Sequence, residues 1–418
     1  MKLARLAFVL AMSCPAFGAS AEIARDVCMA APVRACVLGE ARRVSSAIAD
    51  PTERAGALMA IARAEAKLGL ATEAAATRAE AVKLDPAADD PADDASAYLL
   101  AGRVDDALKT ARSIGNYHAR GRALAAIAAE EAKAGHSKQA ASLFAEAVAA
   151  GRGPKEPMAR VYALQPVADQ QAGAGLKTEA AATQLIALEE AQAVKQAGMR
   201  QIALSIVVMG QARVGAAADA LQTAQSINDA SSRAAALVSI VEAQAQAGAI
   251  GDARSTEEAI LDKERAARAL AAIGAAEAKR GDAKQAGATF DQALAAARSI
   301  ADDSDRALAL ASVGVGQAKA GLAAESAARF AEALKIAPRN PMVLAPIGQE
   351  MVEAGDLAAA LALAPSLDEI SRDALAAAAA ARQVETGDFA GGLKTALTVD
   401  NGARRAQLLA EIAAGLPN

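Results

Sequence analysis

Acid-base or nucleophilic chemistry needs a base, a nucleophile and an orienting group that converge. The residues of this chain that suit those roles are few and scattered. Its two histidines, His118 and His136, fall at a helix start and just after a turn glycine. The acidic run DPAADDPADD sets Asp85, Asp89, Asp90, Asp93 and Asp94 close together, but lacks the Gly and Glu of a calcium loop. With two prolines it reads as a solvated loop leading into a helix. Gly314 and Gly316, followed by Gly321, have the glycines of a phosphate loop without the strand that must precede one. No zinc-ligand spacing is present. The sequence therefore predicts a non-enzymatic protein with no cofactor and no metal.

Cysteine usage and the N-terminus bear on compartment. Residues 1–21 carry Lys2 and Arg5, a short apolar run from Leu6 to Met12, and the small residues Ala19-Ser20-Ala21 before Glu22. That is the order of a secretory signal peptide, and it is too short to span a membrane. Lipidation at Cys14 is the alternative, disfavoured by Ala11 and Met12 ahead of it and Pro15 behind. The expected location is exported, periplasmic or secreted, with no integral membrane segment. Cys28 and Cys36 flank Pro32, which breaks a helix between them. In an oxidising compartment they are a candidate disulfide; two buried free thiols are the other reading.

Charge excludes a further class. The net charge of −5 becomes −7 once Lys2 and Arg5 are removed, and the charges are interspersed. No basic footprint for nucleic acid is present.

The elements that hold these residues are repetitive. Composition is 54% hydrophobic but only 2% aromatic, and most of the apolar fraction is alanine, the best helix former. Strand patterns are nearly absent, so the class is all-α. The stretch Glu264–Ile300 reads as two amphipathic helices joined at Arg280-Gly281-Asp282, and variants of it recur. Gly69, Gly102, Gly135, Gly175, Gly215, Gly248, Gly281, Gly321, Gly355 and Gly387 stand 32 to 40 residues apart. Each is expected where a first helix ends and the chain reverses, in a left-handed backbone that glycine adopts cheaply. Eleven residues before the glycine comes leucine, as in Leu164, Leu270 and Leu310, and eight before it Ile or Val, as in Val167, Ile273 and Val313. Three residues apart on a helix, the two share one face.

Two polar columns accompany this frame. Fifteen residues before the glycine stands arginine (Arg54, Arg120, Arg160, Arg200, Arg233, Arg306, Arg372), often four after an Asp or Asn such as Asp50, Asn116 or Asp302. The Asp or Asn reads as an N-cap that the arginine pairs with. Four before the glycine stand Glu65, Glu131, Gln171, Gln211, Gln244, Glu277 and Gln317. That column reads either as a hydrogen-bond ladder or wet face of the repeats, or as a polar stripe in a binding groove.

In Arg268–Ile300, Leu270, Gly274, Ala286, Phe290 and Ala293 fall on the signature positions of the tetratricopeptide repeat, and Gly314, Phe330, Ala333 and Pro338 repeat the match in the next unit. The chain resembles a divergent, alanine-rich member of that family over about residues 38–414. Glu or Gln stands at the family's first-helix tyrosine, and several units lack the closing proline. The resemblance implies a right-handed α-solenoid of about ten helix-turn-helix repeats. Residues 22–48 would be an N-terminal half repeat, 49–402 the repeats and 403–418 a C-terminal capping helix.

Such an array implies a groove lined by first helices, where repeats differ from one another. The candidate groove-binding residues are Tyr162, Gln165, Asp169, Met209, Glu242 and Arg268. The expected partner is a protein or peptide, bound by a scaffold or assembly factor. A cell-wall or lipid ligand in the same groove is the alternative.

Overall fold

The computed structural model describes residues 32–88, 91–100 and 102–417. The expected signal peptide, Cys14, Cys28, Asp89 and Asp90 lie outside them. Cys36 is disulfide-bonded.

The described residues form an all-α solenoid, with helices and two short 3-10 turns but no strand. A lone helix α1 (Arg34–Ser46) is followed by antiparallel pairs: α2 and α3 (Pro51–Lys67, Ala71–Leu84), α4 and α5 (Pro91–Leu100, Val104–Ser113), α6 and α7 (Tyr117–Lys133, Ser137–Gly151), and α8 and α9 (Pro157–Gly173, Lys177–Gln192). Then come α10 and α11 (Ala197–Arg213, Ala217–Gln225), α12 and α13 (Ala230–Gln246, Ile250–Glu257), and α14 and α15 (Lys263–Lys279, Ala283–Arg298). The series ends with α16 and α17 (Asp303–Lys319, Ala323–Ile336), α18 and α19 (Pro341–Ala354, Leu357–Ala362), α20 and α21 (Glu369–Glu385, Phe389–Ala396), and a lone α22 (Gly402–Gly415).

Even-numbered helices are first helices, and the glycine that ends each of them up to α20 has positive φ. Those are the ten glycines of the sequence frame, from Gly69 at 77° to Gly387 at 85°. Around Gly281 the N–H of Asp282 donates back to the Glu277 carbonyl at 3.0 Å, which closes the helix end. The leucine and Ile/Val landmarks are core residues: Leu164, Val167, Ile273 and Val313 are fully buried and Leu270 nearly so.

The N-cap column forms as expected, with Asp50, Asn116, Asp229 and Asn401 each accepting from a backbone N–H three residues on. The arginine column does something else. Arg200, Arg233 and Arg306 donate to the carbonyls of Val194, Ile227 and Ile300, at 3.0, 2.8 and 2.8 Å. Those carbonyls lie just past the preceding second helix, so the arginine ties one repeat's exit to the next repeat's entry. A guanidinium reaches six residues back more readily than it folds onto a cap already engaged by backbone N–H groups.

The chain forms two compact units, one of residues 1–89 with 376–418 and one of 90–375. In the first, the chain's two ends are partners. Helix α22 packs on both α1 and α2, and Val37, Ala41, Ile61, Leu409 and Ile412 share one core. Among the described residues α22 is a first helix with no second helix after it, and α1 takes that place against it. The sequence frame agrees: Asn401, Arg405, Leu409 and Ile412 repeat the spacing of Asp302, Arg306, Leu310 and Val313. The described part of the expected half repeat, residues 32–48, thus packs on the expected capping helix.

Candidate functional site

The Glu/Gln column lies inside the protein. Glu65, Gln171, Gln211 and Glu277 are at most 4% exposed, so they are withdrawn from any groove. In four repeats the side chain at this position accepts a hydrogen bond from a threonine on its partner second helix: Thr77 to Glu65 at 2.8 Å, and Thr183 to Gln171, Thr289 to Glu277 and Thr395 to Gln383 at 2.7 Å each; the side chains of Gln211 and Thr223 stand at the same two positions without a hydrogen-bond partner. Where the residue is glutamate, a neighbouring repeat supplies a counter-charge. Arg254 on α13 donates to both Glu277 and Thr289 at 2.6 Å, and Arg42 on α1 does the same for Glu65 and Thr77. A buried carboxylate needs both charge and hydrogen bonds to be tolerated, and each of these has them. At the third glutamate, Glu131, the His136 ring lies 2.8 Å away through Nδ1. The column is structural.

A groove opens within the larger unit, on the face of four successive first helices, α12, α14, α16 and α18. It encloses about 1070 Å³, at the upper end of ligand-sized cavities. Its floor is alanine and glycine: Ala271, Ala272, Ala275, Ala276 and Gly316. Gly316 is required there, since a Cβ on it would stand 2.7 Å from the Ala271 carbonyl oxygen. The close approach of α16 to α14 thus keeps the floor low.

Charged side chains stand above this floor. Arg268 Nε donates to Glu242 at 2.9 Å, and Lys319 pairs with Glu353 at 2.6 Å. Glu350 accepts from the Ser312 hydroxyl at 3.1 Å. Burial pushes the Glu350 carboxyl above its ordinary value, outweighing the Arg268 charge nearby. Arg268 is shifted up as well: burial works against its charge, but Glu242, Glu350 and Glu353 overcome it. Lys279 and Arg280 complete the set at the turn edge.

Of the six candidate residues, Glu242 and Arg268 meet in this groove. Tyr162 and Met209 are about half exposed, at 49% and 44%, on the first helices α8 and α10. Asp169 on α8 pairs with Arg213 on α10 at 2.7 Å, beside a smaller hollow of about 500 Å³. Gln165 turns inward, 9% exposed, and exchanges amide hydrogen bonds with Gln184 at 3.0 and 3.3 Å. Gly210 makes room for that pair, because a Cβ there would overlap both amides. Sequence reasoning did not single out Ser312, Glu350 and Glu353 as groove residues. Their signal was present: they stand nine, five and two residues before a turn glycine, on the side of the helix that Arg268 and Glu242 also face.

His118 lies on α6, and His136, at the turn before α7, lies against the buried Glu131. Among the described residues, no group of three or more His, Cys, Asp or Glu side chains converges as metal ligands would, and no helix is long and apolar enough to cross a membrane.

No protein-family profile matches this sequence, and no curated protein matches it. Among solved structures, it is similar to the crystal structure of Ton1535 from Thermococcus onnurineus NA1, with 16% identity over 77% of this chain and 98% of that one and a TM-score of 0.36. It is also similar to a circular tandem repeat protein with novel repeat topology and enhanced subunit contact surfaces, with 12% identity over 91% of this chain and 98% of that one and a TM-score of 0.27. Likenesses this distant carry no functional argument.

Proposed function

We propose that this chain is an exported, non-enzymatic scaffold or assembly factor, of tetratricopeptide-like type, that holds a protein or peptide partner against its first helices. The observation that carries this reading is the groove over α12, α14, α16 and α18. It is large, and its floor is mostly alanine and glycine. Most polar residues that recur between repeats serve caps, loop carbonyls or buried positions, whereas Arg268, Ser312 and Glu350 above the groove stand at different positions of their helices. Residues that vary on one face of a regular array are the ones free to specify a partner.

A photocrosslinking amino acid placed at Ala275, in the groove, should yield a discrete protein or peptide adduct in the cell that makes the protein. The same group at Gln285, exposed on the second helix α15, should not. Equal labelling from both positions, or none from either, would refute the reading. Sedimentation of the purified chain with cell-wall material or liposomes, in the absence of an adduct, would replace it with recognition of an envelope ligand.

A further inference from the structure

The charges above the groove leave one carboxylate without an ion pair. Arg268 is taken up by Glu242 and Lys319 by Glu353. Glu350, partly buried between them, has the Ser312 hydroxyl as its hydrogen-bond donor and no cation at ion-pair distance. Lys279 and Arg280 stand exposed at the turn edge, where Arg280 donates to the Gly248 carbonyl at 3.3 Å. The floor between these charges is alanine and glycine with Val315 as its bulkiest side chain, so the groove's own side chains do not fill its volume.

A complementary occupant therefore brings a long apolar stem to lie along Ala272 and Ala275, and a positive charge at its tip. Lysine and arginine side chains have that construction, methylenes ending in a cation. We infer that the groove docks a polypeptide segment through a lysine or arginine side chain whose cationic end reaches Glu350. This rests on the groove-binding function proposed above and names the chemistry of its partner. The carboxylate gains in the complex the charge-assisted hydrogen bond it lacks in the free protein. Ser312 holds it in place, and the Arg268–Glu242 pair walls the opposite side.

The test is selection of random phage-displayed peptides on the full-length protein, followed by binding measurements on Glu350→Gln, Glu350→Lys and Ala272→Trp. Thermal melting of each variant establishes that it is folded. Peptides recovered on the wild type should share a lysine or arginine, bind Glu350→Gln about tenfold more weakly, and lose binding to Ala272→Trp, which fills the floor. Selection on Glu350→Lys should enrich acidic residues instead. Peptides that Ala272→Trp displaces, but that lack a basic residue or bind Glu350→Gln unchanged, would overturn the inference and leave the groove reading standing. Recovery of no peptide sensitive to Ala272→Trp would overturn both.

Discussion

Arg34, at the start of the first described helix, donates from Nε and a terminal nitrogen to the backbone carbonyl of Leu416, at 2.9 and 2.7 Å, across 382 residues of chain. That carbonyl follows the last turn of α22, where a helix leaves acceptors without partners inside the helix. The bond therefore does for α22 what the turn glycine does for other first helices. Beneath it, leucine and isoleucine from the end of the chain pack on valine and alanine from its beginning.

This pairing should be felt at both ends. Leu409 is fully buried, and Leu409→Ala should cost about 2–4 kcal/mol. Asn401→Ala, which removes the cap of α22, should cost about 1 kcal/mol. Hydrogen exchange should speed up in α1 and α2 as well as in α22. A Leu409→Ala loss below about 0.5 kcal/mol, or loosening confined to α22, would contradict the shared core.

Two glycine-to-alanine substitutions separate backbone conformation from space. At Gly281, φ is 89° and nothing lies within 4 Å of an added Cβ, so the cost of about 1–2 kcal/mol is that of the left-handed backbone alone. Gly316 is helical, but its Cβ meets the Ala271 carbonyl. Gly316→Ala should cost about 1–3 kcal/mol through overpacking and should reshape the groove floor. Denaturant unfolding gives both losses, and alanine methyl shifts near Ala271 should move only in the second variant.

The buried polar column is testable by a double-mutant cycle. Arg254→Met leaves Glu277 with the Thr289 hydroxyl alone and should cost about 1–3 kcal/mol. Adding Glu277→Gln removes the charge that needed the arginine, and stability should largely return, since glutamine already serves this position in five other repeats. Additive losses in the double variant would mean that the two residues act independently.

Glu350 makes stability depend on pH in a defined direction. Its carboxyl is raised in the folded protein from an ordinary 4.5, so the folded state holds the proton more tightly than the unfolded chain. That contribution is fully present below 4.5 and is lost as pH rises through the folded value. Glu350→Gln should therefore raise the melting temperature at neutral pH and change it little in acid. An equal effect at both would show that the carboxyl titrates normally.

The helical pairs, their turns and their core were legible because the glycine recurs ten times and the other landmarks in many of the same repeats, each with a local cause: a left-handed glycine, a helix face, an N-cap. The arginine column was visible but its partner was not, because a carbonyl acceptor leaves no mark on residue type. The Glu/Gln column was ambiguous for a related reason. Its threonine lies twelve residues away on the second helix, and only packing brings the two together. Gln165 was assigned to the groove because its helical position borders that face. Gly210, forty-five residues later, opens the space that draws it inward. Glu350 and Glu353 were overlooked because no single repeat contains the groove; it exists only when four first helices are laid side by side.

The pairing of α1 with α22 carries a last consequence. A covalent link from Pro417 to residue 32 would join described segments that already touch, and a cut in a loop between repeats, such as the one after Ile300, would open the chain elsewhere. Circular permutation of this kind preserves every helix pair described. Helix α22 then stands to α1 as a first helix stands to its second, although the two lie at opposite ends of the described sequence.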